Sequence, residues 1–182
     1  NNNNNNNIEE TLVVSGQRGK ANTYVWTVTK NSITLNSTFQ TGQKSVNMLE
    51  FSQDGRLVIS IAEDYTVAIT EWKNQRVIAN VAGEPAPTYD ICAGDMNKLF
   101  LSCGEKYIRV WSLSGRNLTS VKVSTSGKGK PQKFWSAKFF AGQWVVGCDD
   151  GSIYVIPLDS NQVTRLLSES LPSSSSSSSS SS

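Results

Sequence analysis

Few residues in this chain could do chemistry, and their types narrow what that chemistry would be. There is no histidine, which excludes imidazole-activated nucleophiles and His-containing metal sites. Two glycine–lysine stretches, Gly16-Gln17-Arg18-Gly19-Lys20-Ala21 and Gly127-Lys128-Gly129-Lys130, have the look of phosphate loops. Neither has the required gap before Gly-Lys or the Ser/Thr after it, and neither opens a helix, so a nucleotide cradle is not expected. Asp149-Asp150 offers adjacent carboxylates, but followed by Gly151 the pair reads as hairpin punctuation. Cys92, Cys103 and Cys148 form an odd set without C-x-x-C spacing. They read as small buried hydrophobes in a reducing, cytoplasmic compartment. Neither a cofactor nor a metal is expected.

What remains is a surface. Arg18 and Lys20 on one loop, and Lys128, Lys130 and Lys133 on another, are candidates for contact with an acidic partner. Solvated loops are the competing reading, because Glu63, Asp64, Glu84, Glu105, Asp149 and Asp150 are expected on the same side. With 17 basic and 15 acidic residues, net +2, the chain is too balanced to imply nucleic acid or an anionic membrane. No apolar stretch approaches the roughly 18 residues of a membrane span, and no charged-then-apolar leader precedes the first strand.

The elements that position these loops repeat. Four times a short apolar run ending in a small residue is followed by a strand closing on a large one. The runs are Leu12–Gly16 to Trp26, Leu57–Ile61 to Trp72, Leu99–Cys103 to Trp111, and Trp144–Cys148 to Ile156. A period of about 40–45 residues with four strands per unit is that of a β-propeller blade. The fold expected is all-β, of four-stranded antiparallel meanders in an incomplete ring of about three and three-quarter blades. The blades fall at about 8–40, 44–82, 86–124 and 132–168, within a domain spanning 8–171. The first blade lacks a first strand, whose place falls in the poly-Asn stretch at about residues 1–8. Poly-Asn 1–7 and the Ser-rich 172–182 carry too little apolar surface to order and are expected to be disordered. A propeller hides sheet edges by closing its ring, so a longer propeller is expected around this chain, in preference to four distorted blades.

Two columns run through the repeats: Ser15, Ser60, Ser102 and Gly147, then Trp26, Trp72, Trp111 and Ile156. A buried indole N–H needs an acceptor, which a neighbouring-strand hydroxyl can supply. Alternatively Trp is a wedge and Ser makes room for it.

These columns, with the turns Glu63-Asp64 and Asp149-Asp150-Gly151, resemble WD-repeat proteins. The naming dipeptide is replaced by Trp26-Thr27, Trp72-Lys73, Trp111-Ser112 and Ile156-Pro157, and the family's His-containing network has no residue to form it. A narrower resemblance rests on three stretches in the same order. Val14-Ser15-Gly16-Gln17 before Tyr24-Val25-Trp26, Cys103-Gly104-Glu105-Lys106 before Trp111-Ser112-Leu113-Ser114-Gly115, and Lys128–Phe134 are similar to the echinoderm microtubule-associated protein-like family. The resemblance implies a tandem propeller, of which this chain covers about the first third, attached to microtubules or soluble tubulin. It implies a non-catalytic, cytoplasmic, cytoskeletal scaffold. A generic WD-repeat scaffold in another assembly, such as a ciliary complex, is the alternative. A propeller hydrolase or lyase is a remote third, since the inner strands offer it only Glu50, Asp90 and Lys138.

Overall fold

Leu57-Val58-Ile59-Ser60-Ile61-Ala62 is apolar at nearly every position and buried at all six. A strand can be so only if its sheet is covered on both faces. The computed structural model, which describes residues 10–42, 44–94 and 99–167, supplies that covering.

The strands form four antiparallel meanders. Sheet 1 contains β1 (Thr11–Gly16), β2 (Asn22–Val28) and β3 (Ile33–Gln40); sheet 2 contains β4 (Val46–Phe51), β5 (Leu57–Ala62), β6 (Thr66–Glu71) and β7 (Arg76–Ala82). Sheet 3 contains β8 (Thr88–Ala93), β9 (Leu99–Gly104), β10 (Tyr107–Ser114) and β11 (Asn117–Lys122). Sheet 4 contains β12 (Phe134–Phe140), β13 (Gln143–Cys148), β14 (Ile153–Pro157) and β15 (Arg165–Leu167). The inner strands β1, β4, β8 and β12 adjoin in that order, so the sheets stack as successive blades. The disorder expected at 1–7 and 172–182, and a first strand at about 1–8, lie outside the described residues.

Three apolar layers hold the stack. Val25 and Phe39 of sheet 1 meet Val58 and Trp72. Ile59, Val67 and Ile69 of sheet 2 meet Phe100 and Trp111. Leu101, Cys103 and Ile108 of sheet 3 meet Trp144, Tyr154 and Ile156. Each layer excludes water from side chains of two sheets, which makes neighbouring blades mutually stabilising.

The two columns are realised unevenly. Trp111 lies opposite Phe100 with Ser102 two places along β9, and its Nε1 donates to Ser102 Oγ at 2.8 Å. Trp26 lies opposite Val13 and donates to Ser15 Oγ at 2.9 Å. In sheet 2 the equivalent place opposite Val58 is Thr70. Trp72 lies beyond the strand, in the 3₁₀ turn Trp72–Asn74, and donates to the Gly55 carbonyl at 2.7 Å, so Ser60 is not its acceptor. In sheet 4 Ile156 holds the large-residue place opposite Trp144. Its diagonal neighbour is Val146, not Gly147. An isoleucine has no N–H to satisfy, and no hydroxyl accompanies it.

Candidate protein-binding face

Alternating strand directions bring the β1–β2, β5–β6, β9–β10 and β13–β14 turns to the same end as the connections between sheets. Backbone hydrogen bonds knit this end together. Ser45 O accepts from Glu63 N at 2.7 Å, Pro87 O from Glu105 N at 2.9 Å, and Lys133 O from Asp149 N at 2.9 Å. Each connection thereby reaches the turn of the sheet it enters. It also reaches back to the sheet it leaves: Val46 N donates to Gln17 O, Gly83 N to Tyr65 O, and Lys106 N to Gln132 O. Six backbone bonds at matching places fix this face without any histidine.

The inner strands add a second regularity. β4, β8 and β12 each shift register near their start, between Val46 and Met48, Thr88 and Asp90, and Phe134 and Ser136. A bulge re-aims the extra side chain, here Asn47, Tyr89 and Trp135. Tyr89 and Trp135 stack with ring centroids 4.4 Å apart. Tyr89 Oη donates to Glu105 at 2.8 Å, and Trp135 Nε1 donates to Asp149 Oδ1 at 2.8 Å. The bond to Glu105, then burial, raises the Tyr89 hydroxyl above its ordinary pKa. Lys133 Nζ lies 5.5 Å over the indole, yet Trp135 remains 46% exposed. This platform is absent from the expected site residues. Its signal was the broken alternation of the inner strands together with aromatics at matching places.

The expected basic residues fall into two groups. Arg18 and Lys20 are exposed on the β1–β2 turn; Lys128, Lys130 and Lys133 belong to the segment leading into sheet 4, with sheets 2 and 3 between them in the stack. Lys128 and Lys130 are already engaged, Lys128 with the Thr164 carbonyl at 2.8 Å and Lys130 with Asp150 at 3.2 Å. They border an open cleft of about 660 Å³ with Ser152, Tyr154 and Leu166. Tyr154 Oη accepts from Lys130 N at 2.9 Å and from Gln132 Nε2 at 3.1 Å, pinning the loop. The Ser152 hydroxyl, with help from Lys130 and Gln132, holds Asp150 well below the usual carboxylate range.

The inner-strand charges have local partners. Asp90 accepts from Ile91 N and Ala137 N at 2.9 and 2.8 Å, bonding sheet 3 to sheet 4. Burial raises Glu50 above its ordinary value; Lys138 opposes that shift and Asp90 adds to it. The three cysteines sit buried in the layer between sheets 3 and 4, and burial pushes their thiols up, away from the nucleophilic thiolate.

No protein-family model matches the sequence. Over 118 residues, 63% of this chain, it is 26% identical to echinoderm microtubule-associated protein-like 2 of Rattus norvegicus. It spans only 18% of that relative's length. The solved β-propeller domain of Cps50 (Swd1) from Myceliophteria thermophila superposes with a TM-score of 0.69 at 13% identity, over 86% of this chain and 53% of that one. The fold is that of a β-propeller. Its four sheets correspond to about half of that solved chain.

Proposed function

We propose that this chain is a non-catalytic protein-binding scaffold that engages microtubules or soluble tubulin through the knitted turn face, in the cytoplasm. The observation that carries the reading is the Tyr89–Trp135 platform with Lys133 over its indole, on the segment that also carries Lys128 and Lys130. Trp and Tyr held on a rigid base, here an exposed Trp135 stacked on a partly buried Tyr89, are among the side chains that dominate protein interfaces. Lysines around them would supply attraction to an acidic surface. Similarity to a microtubule-associated relative points to tubulin as the partner. The inner carboxylates favour a non-catalytic reading, because both Asp90 oxygens accept backbone N–H groups.

Co-sedimentation with microtubules tests it, with pelleting of the chain alone as the control. The parent should sediment with polymer, and the Lys128→Glu, Lys130→Glu, Lys133→Glu triple variant should stay in the supernatant. Its fold should be kept, as judged by circular dichroism, with melting lowered by loss of the Lys128–Thr164 bond and the Lys130–Asp150 pair. Raised salt should weaken the parent's binding in the same way, because exposed charges are screened over about 8–10 Å. A parent that does not sediment with polymer would remove microtubules as the partner, and one that also fails to co-elute with unpolymerised tubulin in size-exclusion chromatography would remove tubulin altogether.

A further inference from the structure

A row of three residues crosses sheet 3 at the turn face. Gly104 on β9 stands opposite Thr88 on β8 and opposite Tyr107 on β10. With no side chain at the middle place, the Tyr107 ring lies over it: a methyl group on Gly104 would meet Tyr107 Cε1 at 2.8 Å and Thr88 Cα at 2.9 Å. Tyr107 is 3% exposed, and its hydroxyl bonds the Thr88 hydroxyl across the glycine. Burial pushes the Tyr107 pKa up to about 12, opposed by the Thr88 and Ser102 hydroxyls, so the phenol keeps its proton at neutral pH. The turns into β6 and β14 are closed differently, each on its own aspartate. Thr66 N donates to Asp64 Oδ1 and Ser152 N to Asp150 Oδ1, both at 3.1 Å.

Thr88 is also where the inner strand changes register. The bulge lies between Thr88 and Asp90, and Tyr89 is the extra residue. Where a bulged side chain points depends on the backbone to either side of it. On one side the Asp90 carboxylate accepts from Ile91 N at 2.9 Å and Ala137 N at 2.8 Å. On the other side Thr88 is held by Tyr107. Between these two clamps Tyr89 stacks on Trp135 and donates to Glu105, the residue next to Gly104.

We infer that Tyr107 is a positioning residue of the binding face: by fixing Thr88 it aims Tyr89 at Trp135 and so sets the geometry of the aromatic platform. The inference rests on the reading that this platform meets the partner. A phenol too buried to touch a partner thereby governs how the exposed indole is presented. Side chains held in place beforehand lose less freedom on binding. Releasing the clamp therefore weakens binding while every contacting residue is still present.

Nitrogen–proton NMR of the five indole groups reads the platform directly, with the Trp135 signal assigned by its absence from Trp135→Phe. Tyr107→Phe, which keeps the ring over Gly104, and Thr88→Val should each shift the Trp135 signal and leave those of Trp26 and Trp72 in place. Thr88→Ser, which retains a hydroxyl, should match the parent. In co-sedimentation with microtubules, Tyr107→Phe and Thr88→Val should lower the bound fraction several-fold, and Thr88→Ser should not. Should Tyr107→Phe fold poorly by circular dichroism, Thr88→Val, with the phenol intact, decides the matter. A folded variant with Trp135 unmoved, whether or not it melts lower, would overturn the proposal and leave Tyr107 as a brace of sheet 3 alone. Full binding by a variant whose Trp135 signal has shifted would overturn it too. If the parent itself binds no tubulin, the partner assignment falls instead, and the indole spectra still decide whether Tyr107 aims the platform.

Discussion

Close obstacles to a methyl group at glycine stand at the turn face of the sheets and not at their hairpin end. At the turn face, a methyl group on Gly104 would lie 2.0 Å from the Pro87 carbonyl oxygen, one on Gly83 2.8 Å from Tyr65 O, and one on Gly129 2.5 Å from the Tyr154 ring. At the hairpin end, Gly115 and Gly142 have φ of 61° and 73° and would place a methyl group in open space. Glycine permits left-handed turns at both ends, as at Gly19 and Gly151 of the turn face, whereas close approach is confined to the turn face. One end is therefore a mesh of connections packed on turns; the other is a set of independent hairpins. A rigid mesh can hold aromatic and charged side chains in fixed relation, as a binding surface requires.

Substitutions can break this contrast. Gly104→Ala should have the largest effect, with loss of cooperative unfolding or of soluble protein, because its obstacle is backbone, which cannot rotate away. Wild-type melting of this variant would show that the connection into sheet 3 is not packed as described. Next comes Trp111→Ala, which removes an interior side chain stacked on Phe100 and bonded to Ser102. About 3–5 kcal/mol is expected, read from denaturant unfolding; a variant within about 1 kcal/mol of the parent would contradict the layer between sheets 2 and 3. Gly142→Ala sharpens the comparison. It meets nothing, so only the backbone term remains, about 1–2 kcal/mol.

The smallest effect concerns Asp150. Its carboxyl is held low chiefly by the Ser152 hydroxyl, so this pair's contribution is present at neutral pH and fades as pH falls below the ordinary carboxylate range. Ser152→Ala should move the Asp150 titration upward, as seen by carboxyl NMR. An unchanged titration would mean that Ser152 is not its main partner.

Strand positions were legible because hydrophobic runs and turn residues repeat: Val46–Phe51, Leu57–Ala62 and Phe134–Phe140 fall where their patterns place them. The Ser–Trp bond was legible at Ser15 and Ser102 and misread at Ser60. Sequence spacing cannot show that Trp72 lies past the end of β6, in a turn that redirects its indole to Gly55. The lysines were placed on the right segments, but their engagement with Asp150 and Thr164 depends on partners 20 and 36 residues away. The Tyr89–Trp135 stack was missed for a related reason. A one-residue bulge in each of two strands sets which way a side chain points, and pairing between strands 46 residues apart is invisible in either strand alone.

The claim that binding belongs to the knitted end is tested most directly by a hydrogen-exchange footprint of this chain with and without tubulin. The account predicts added protection in the turns around Glu105–Lys106 and Asp149–Gly151 and in the Lys128–Trp135 segment, with Gln53–Arg56, Gly115–Arg116 and Ala141–Gly142 unchanged. Protection confined to those three hairpin turns would contradict it.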